Sequence, residues 1–310
     1  MRKIAIFNQK GGVGKTTTAI NLAAGLSRNG RKVVIIDIDP QGDVSVCYDT
    51  SAEKSLSDVI MAEAQIEEAT TKMGKNLDII RSDSRLAEAE QMLTASRQEL
   101  NIFEKCFTPK LDYDYVLLDC PPSLRYLNKC ALFYSKELII PCTTDFLGYD
   151  ALLKTINTVT NFNAEYKHNL MVTLIVPTMY DKRRKICSEI LEQMKSEFTS
   201  PLVSNPIRAN SKLTETPKAK QSIFSYAKNS DGANDYWAIV KLILENENMY
   251  DTRFSNEQRL NALQEYYTQG KKRELMMVGN KLTFGFKFFT NGVGIKEHIN
   301  GISKKRVKSV

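Results

Sequence analysis

A glycine-rich segment near the N-terminus is the part of the sequence whose residue types and spacing point most directly to chemistry. Residues 10–17 read Lys-Gly-Gly-Val-Gly-Lys-Thr-Thr and lie between a short apolar run and a stretch with helical spacing. Successive glycines allow backbone N–H groups to converge on phosphate oxygens, and the N-terminus of the following helix adds the positive end of its dipole. The segment therefore predicts a nucleotide-binding loop, formed by Gly11, Gly12, Val13, Gly14, Lys15, Thr16 and Thr17.

Two side chains of this loop have predicted roles in binding a nucleotide. We expect Lys15 to reach the β- and γ-phosphates of ATP, and the Thr16 hydroxyl to bind Mg²⁺. The usual pattern, Gly-x-x-x-x-Gly-Lys followed by Ser or Thr, is broken here because its first glycine falls on Gln9. A second lysine, Lys10, stands at the start of the loop instead.

Two acidic segments follow apolar runs further along the chain. Residues 37–42 read Asp-Ile-Asp-Pro-Gln-Gly, and residues 119–122 read Asp-Cys-Pro-Pro. A carboxylate at the end of a parallel strand lies at the carboxyl edge of the sheet, where ligands bind. We expect Asp39 to orient or activate an attacking water, and Asp119 to hold Mg²⁺ through its water shell. Cys120 is interpreted as a small buried residue, because no cysteine pair suggests an iron–sulfur cluster.

Short apolar strands that alternate with helical segments are expected to position these residues. The spacing predicts strands at about 2–7, 32–36, 77–80, 115–118, 137–141 and 170–176, and helices over 15–29, 84–99 and 182–197. This rhythm is typical of an α/β fold in which a mostly parallel sheet carries helices on both faces. The glycine-rich loop between the first strand and the first helix makes the P-loop NTPase type the expected form of this fold.

The C-terminal part of the chain changes character. A helix after Gly232 is expected to turn Trp237, Val240 and Leu244 inward and to end near Asn246. Beyond it, residues 255–268 are helical in spacing, whereas Phe284, Phe286 and Phe288 alternate as in a strand. We therefore predict an ATPase domain at 1–250 and a C-terminal extension at 251–310, basic from residue 271.

Composition and charge limit the classes of protein that the chain can belong to. With 310 residues, 42% hydrophobic and 25% charged, the chain can bury a sizeable core. Its apolar runs are far shorter than the roughly 20 residues that span a bilayer, and the N-terminus does not read as a signal peptide, so we expect a cytoplasmic protein. Residues 271–310 hold ten lysines and arginines against two acids, which indicates a nucleic acid, an anionic membrane or a merely solubilising segment.

The glycine-rich loop resembles the deviant Walker A motif of ParA-type partition ATPases, within the ParA/MinD group of P-loop proteins. Residues 37–42 are similar to the switch motif of that family, and residues 116–122 to its Walker B segment, although Arg125 departs from the family pattern. The resemblance covers about residues 1–245. It implies a homodimer that sandwiches two ATP molecules, in which Lys10 reaches the nucleotide of the partner, and a catalytic set of Lys10, Lys15 and Asp39.

Two later segments also resemble parts of ParA proteins. The resemblance places Pro177 and Thr178 next to the nucleotide base, and it makes a basic group the candidate DNA contact: Arg208, Lys212, Lys218 and Lys220. Solvated loop charge is the alternative interpretation of each of these four residues. Because the first strand starts at residue 2, we expect no preceding helix-turn-helix and hence nonspecific binding to DNA phosphates. A ParB-like partner that stimulates hydrolysis is also implied.

A MinD-like membrane-cycling ATPase is the alternative function. Such relatives use a C-terminal amphipathic helix, but four glycines weaken a helix in this tail: Gly279, Gly285, Gly292 and Gly294. We therefore favour DNA over a membrane as the partner. An ATP-dependent carrier of metal clusters would need a thiolate pair at the dimer seam, which the sequence does not identify.

Overall fold

A seven-stranded sheet forms the centre of the chain. The computed structural model describes residues 1–50, 52–95, 99–107, 112–198 and 202–247, and the backbone of two short strands after residue 270. The strands of the main sheet are β1 (Arg2–Ile6), β2 (Val33–Asp37), β3 (Thr70–Lys72), β4 (Leu77–Ile80), β5 (Tyr115–Asp119), β6 (Glu137–Thr143) and β7 (Met171–Thr178). Their order is β3-β4-β2-β5-β1-β6-β7, and only the β3–β4 pair is antiparallel. The mostly parallel α/β fold is therefore confirmed.

Helices cover both faces of this sheet. In the described residues they are α1 (Lys15–Arg28), α2 (Asp43–Cys47), α3 (Leu56–Ile60), α4 (Leu86–Ala95), α5 (Ile102–Phe107), α6 (Tyr126–Tyr134), α7 (Phe146–Tyr166), α8 (Lys185–Glu197), α9 (Ser211–Ala219), α10 (Ile223–Tyr226) and α11 (Asp231–Glu245). None of them combines the length and the hydropathy that crossing a bilayer requires.

The sheet separates two apolar cores because its central strands are buried on both faces. In β1, Ile4 and Ile6 pack with α1 and α11, whereas Ala5 belongs to the core under α4, α6 and α7. In β2, Val33 and Val34 alternate between the same two cores. Continuous apolar runs are the expected sequence of such strands, which explains why all six predicted strands are found within two residues of their predicted bounds.

The inward face of α11 differs from the prediction. Val240 is fully buried, but Trp237 and Leu244 are only partly buried, and the buried line runs through Tyr236, Ile239, Val240 and Ile243. Trp237 and Leu244 pack against the margin of the same core, so they do face inward, but the fully buried line runs one residue away from them with the same spacing. The Tyr236 hydroxyl forms a hydrogen bond with Thr18 Oγ1 of α1, at 3.2 Å, which fixes the observed rotation.

The described part of the C-terminal extension is one antiparallel pair of strands, β8 (Leu275–Val278) and β9 (Lys281–Phe284). Phe284, the first residue of the predicted alternation, ends β9. Phe286, Phe288, the predicted helix at 255–268 and the predicted domain boundary at 250 lie outside the described residues.

Candidate active site

The glycine-rich loop joins β1 to α1 in a conformation that depends on glycine. Gly12 and Gly14 have φ angles of +71° and +87°, in the left-handed region that side chains disfavour. Gly14 is the N-cap of α1, and its carbonyl accepts a hydrogen bond from Thr18 N at 2.9 Å. Since the first N–H groups of a helix have no helical partner, the loop and the start of α1 offer a set of donors for an anion.

Lys15 and Asp119 form the buried part of the site. The side chain of Lys15 is 8% exposed, and its Nζ donates to the Lys10 carbonyl at 3.4 Å. Burial lowers the pKa of the Lys15 ammonium, while the negative charges of Asp119 and Asp39 oppose that effect. A buried lysine ammonium of this kind can form charge-assisted hydrogen bonds with phosphate oxygens.

Asp119 ends β5 next to the loop and is 1% exposed. Neither of its carboxylate oxygens has a hydrogen-bond partner among the described residues. Burial raises the pKa of Asp119 to about 7, although the nearby Thr16 hydroxyl and Lys15 ammonium favour the charged form. Because buried polar atoms are normally paired, two orphaned oxygens beside a hydroxyl indicate a missing ligand. A hydrated Mg²⁺ would satisfy them, so the residues present fit the metal.

Two further carboxylates lie at the end of β2, the strand next to β5. Asp37 is the last residue of β2, and Asp39 lies in the turn that follows it. Asp37 is paired with Asp119 across the sheet and is fully buried, and it accepts hydrogen bonds from Asp39 N at 3.0 Å and Val44 N at 3.1 Å. Burial, and next the charge of Asp119, raise its pKa well above the ordinary value. The side chain of Asp39 is only half-buried, and its Oδ1 accepts from Gln41 N at 3.0 Å. Asp37 therefore shapes the turn, and Asp39 is the carboxylate that a ligand can approach.

Lys10 is held by residues that the sequence analysis missed. Its Nζ donates to Asp145 Oδ1 at 3.2 Å and to Thr143 Oγ1 at 3.3 Å. Asp145 is also the N-cap of α7, where it accepts from Gly148 N at 2.8 Å. Partial burial would raise the pKa of Asp145, but its hydrogen bonds from Thr143, Gly148 and Lys10 lower it. The available signal was an acid two residues after strand β6, at the same edge as Asp39 and Asp119.

The two residues predicted to lie near the base occupy the end of β7. Thr178 Oγ1 donates to the carbonyl of Val13 at 2.9 Å, so this strand touches the back of the loop. Pro177 is buried, and its carbonyl accepts from Ile207 N at 2.8 Å. Gly11 and Gly12 are exposed on the loop, while Thr16 and Thr17 are half-buried at the start of α1. The structure thus brings Thr178 to the loop, and the contact of both residues with a base stays a prediction.

Most of the candidate DNA-binding residues are paired with acids. Arg208 forms ion pairs with Asp235 at 2.7 Å and Asp231 at 3.0 Å. Lys212 pairs with Glu215 at 2.9 Å, and Lys220 pairs with Asp49. Lys218 is exposed and has no acidic partner within the described residues. Pairing reduces the charge that three of the four residues present to a polyanion, so their role stays a prediction.

Cys120 is buried, as predicted, with 1% of its surface exposed. Over the described ranges, no group of three or more His, Cys, Asp or Glu side chains could hold a metal.

Comparisons with known proteins agree with this geometry. Residues 1–172 match a protein family described as AAA domain. The chain is 33% identical over 250 residues to the sporulation initiation inhibitor protein Soj of Bacillus subtilis, covering 78% of this chain and 98% of Soj. It is 32% identical over 254 residues to the chromosome partitioning protein ParA of Caulobacter vibrioides, covering 80% of this chain and 95% of ParA. In structure it resembles cobyrinic acid a,c-diamide synthase from Mycobacterium smegmatis with a bound ATP analogue and magnesium, with a TM-score of 0.66, 25% identity, and coverage of 79% of this chain and 95% of that one.

Proposed function

We propose that this chain, which belongs to the ParA-type family of partition ATPases, hydrolyses ATP and uses the reaction to segregate DNA. The observation that carries the proposal is the buried carboxylate of Asp119, whose two oxygens lack a partner beside the Thr16 hydroxyl and the Lys15 ammonium. These groups meet at the carboxyl edge of the sheet, where a parallel α/β fold binds its ligands.

ATP and Mg²⁺ are the ligands that fit these residues. The glycine-rich loop would bind the phosphates through its N–H groups, and Lys15 would neutralise the β- and γ-phosphates. Thr16 would bind the metal directly and Asp119 through water. Mg²⁺ supplies charge neutralisation on the phosphate oxygens when it is bound. A related enzyme of the same fold has been solved with an ATP analogue and magnesium, which supports this assignment.

Asp39 is the proposed group that positions the attacking water. It is half-buried at the edge of the site, and only its Oδ1 is engaged, by Gln41 N, in the part of the chain that the structure describes. A carboxylate with a remaining acceptor can orient a water for attack and accept its proton. Asp37 is unsuited to this role, because it is fully buried and each of its oxygens already accepts from a backbone N–H group, of residue 39 or residue 44.

Lys10 is the proposed contact with a second subunit. The family resemblance implies that this lysine reaches the ATP of the partner in a sandwich dimer. In the structure of the single chain it is 30% exposed and bound to Asp145 and Thr143. We infer that, when the dimer forms, Lys10 leaves Asp145 and Thr143 and binds the phosphates of the partner's nucleotide. These phosphates carry more negative charge than the single carboxylate of Asp145.

The ATP-bound dimer is proposed to bind DNA without sequence preference and to act with a ParB-like centromere-binding protein. Relatives named for chromosome partitioning support this part of the proposal. We assign it to an ATPase domain at residues 1–250 and expect a cytoplasmic protein that associates with the nucleoid. A MinD-like cycle on a membrane is the competing function, and binding to anionic vesicles instead of DNA would favour it.

Replacing Lys15 by alanine tests the ATP site. We expect Lys15→Ala to reduce ATP affinity by roughly 100-fold, because a charge-assisted bond to phosphate is lost in a buried site. Binding of a fluorescent ATP analogue and release of phosphate would be measured side by side. Lys185→Ala is the matched control, since that lysine is 90% exposed on α8. Wild-type ATP affinity in Lys15→Ala would show that the loop is not the nucleotide site.

A further inference from the structure

A second cleft, distinct from the glycine-rich loop, opens on the α1 and α9 side of the molecule. It has a volume of about 390 Å³ and lies between the last turn of α1, the turn that joins β3 to β4, and the segment between α9 and α10. Its polar lining includes three cationic side chains and three serines: Arg28, Lys75, Lys220, Ser27, Ser222 and Ser225. No aspartate or glutamate lines it in the part of the chain that the structure describes.

Two of the three cations have no carboxylate partner. Arg28 and Lys75 are exposed, and neither forms an ion pair with a described residue. One N–H group of Arg28 donates to Ser225 Oγ at 2.8 Å, which aims the guanidinium along the wall of the cleft. Lys220 is paired with Asp49, which is 82% exposed, so water screens that pair and leaves it easy to break. The lining of the cleft therefore carries a local excess of positive charge.

The walls of the cleft are connected by hydrogen bonds across long sequence distances. Asn76 Nδ2 donates to the Ser27 carbonyl at 3.3 Å, which ties the β3–β4 turn to α1. Ile223 N donates to Asn21 Oδ1 at 2.9 Å, which ties the α9–α10 segment to the same helix. These hydrogen bonds hold the walls of the cleft in place before any ligand binds. An anion would therefore bind without a large cost in conformational entropy for ordering the cleft.

The charged and hydroxyl groups of the cleft stand beside an apolar wall that includes Met73 and Leu77, of which Met73 is half-buried and Leu77 is buried. Its aromatic residue, Tyr48, is only 6% exposed, so no open ring face is available for stacking of a base. The large hydrophobic side chains that are exposed in the described residues lie elsewhere, and none of them lines the cleft: Val46, Met92, Phe146, Leu147, Met179 and Ile186. A site on a membrane surface would need such an apolar anchor beside its basic residues.

We propose that this cleft binds phosphate groups of a nucleic-acid backbone through Arg28 and Lys75, with Lys220 and the Ser225 hydroxyl as further donors. The inference rests on the proposed DNA-binding function and gives it a location. α1 begins at the glycine-rich loop and reaches the cleft with its last residue, so its 14 residues separate the two sites by about 20 Å. Contacts to phosphates alone explain why such a site would read no sequence.

Single charge-removing substitutions in the full-length protein test the inference. Arg28→Gln and Lys75→Gln each remove one cation of the cleft, and Lys72→Gln is the matched control. Lys72 is exposed three residues earlier in the chain, lines a neighbouring cleft and has no ion pair within the described residues. Affinity for random-sequence duplex DNA would be measured at several salt concentrations with a non-hydrolysable ATP analogue, and binding to anionic phosphatidylglycerol vesicles in parallel.

We expect Arg28→Gln and Lys75→Gln each to weaken DNA binding roughly three- to tenfold and to reduce the slope of log affinity against log salt by about 0.9. Arg28→Lys should recover most of the loss, and Lys72→Gln should bind DNA within about twofold of wild type. ATP affinity should be unchanged in all four variants, because the nucleotide loop lies at the other end of α1.

The outcomes separate this inference from the proposed function. If the wild-type protein does not bind DNA with the ATP analogue, both are overturned. If the wild type binds DNA and Arg28→Gln and Lys75→Gln keep its affinity and salt slope, the cleft is overturned while the function stands. A loss of vesicle binding in these variants, with DNA binding intact, would assign the cleft to a membrane surface instead.

Discussion

Three carboxylates meet at one edge of the sheet, and their surroundings give each a different task. Asp37 is fully buried and accepts two backbone hydrogen bonds, so it stabilises the turn after β2. Asp119 is equally buried but accepts no backbone hydrogen bond from the described residues and faces the Thr16 hydroxyl and the Lys15 ammonium, which suits a ligand of the metal's water shell. Asp39 is half-buried and keeps acceptor capacity, which suits a group that handles water.

Removing the Asp39 carboxylate tests this division of tasks. We expect Asp39→Ala to lower ATP turnover by roughly 100-fold or more while ATP stays bound, because general-base or positioning groups contribute on that scale. Because ATP is not hydrolysed, the Asp39→Ala variant should also remain in the ATP-bound dimer. Phosphate release and light scattering in the presence of ATP would measure the two effects.

Asp150→Ala is the control for that experiment. Asp150 lies on α7, and its carboxylate is 45% exposed and paired only with Lys154 four residues later in the described structure. Its loss should leave ATP turnover close to the wild-type value. Substantial turnover in Asp39→Ala would remove the assignment of that carboxylate.

At the level of elements, local sequence patterns predicted the strands well and the contacts between distant elements poorly. The strands are recognisable because burial on both faces demands a continuous apolar run, as in residues 33–36. The edge strand β3 escaped prediction because it is three residues long and reads Thr-Thr-Lys. The most deeply buried line of α11 lies one residue away from Trp237 and Leu244, because two stripes of the same spacing run side by side on this helix and both contact the core.

In the candidate site, too, local patterns were predictable and contacts between distant elements were not. The phosphate loop, Asp39 and Asp119 follow from motifs that are contiguous in sequence. The contact of Lys10 with Asp145 joins residues 135 positions apart and depends on the order of β1 and β6 in the sheet. The acid after β6 was a local signal for the edge of the sheet, but no local pattern pairs it with Lys10, so the sequence analysis assigned no role to Asp145.

Gly148 tests how closely α7 must approach strand β6. A Cβ atom at this position would lie 2.2 Å from the Thr143 carbonyl oxygen and 2.3 Å from Thr143 Oγ1. We expect Gly148→Ala to shift the first turn of α7, to lower the free energy of unfolding by about 1–3 kcal/mol and to displace Asp145 from Lys10. Urea denaturation would measure the stability.

Asn157→Ala provides the comparison for Gly148→Ala on the same helix. Asn157 is exposed in the middle of α7, where alanine is the better helix former. The free energy of unfolding of the Asn157→Ala variant should equal or slightly exceed that of the wild type. An equally stable Gly148→Ala variant would show that the contact with Thr143 has no role in fixing Asp145.

For the whole molecule, α1 connects the two sites proposed to bind phosphate. It begins at the loop assigned to ATP and ends at Arg28 in the basic cleft assigned to DNA. Elsewhere in the described residues many basic side chains face acids, as Arg208 does with Asp235. A further positive charge is concentrated in residues 271–310, where ten basic residues face two acids in the sequence. We therefore expect nucleotide-controlled binding of this protein to a polyanion.

Binding of the full-length protein to random-sequence duplex DNA and to anionic vesicles, each with ATP, with ADP and without nucleotide, tests this account most directly. We predict binding to DNA that requires ATP, weakens with salt and has no counterpart on vesicles. Binding to vesicles alone in the presence of ATP would contradict the account and favour a membrane-cycling ATPase.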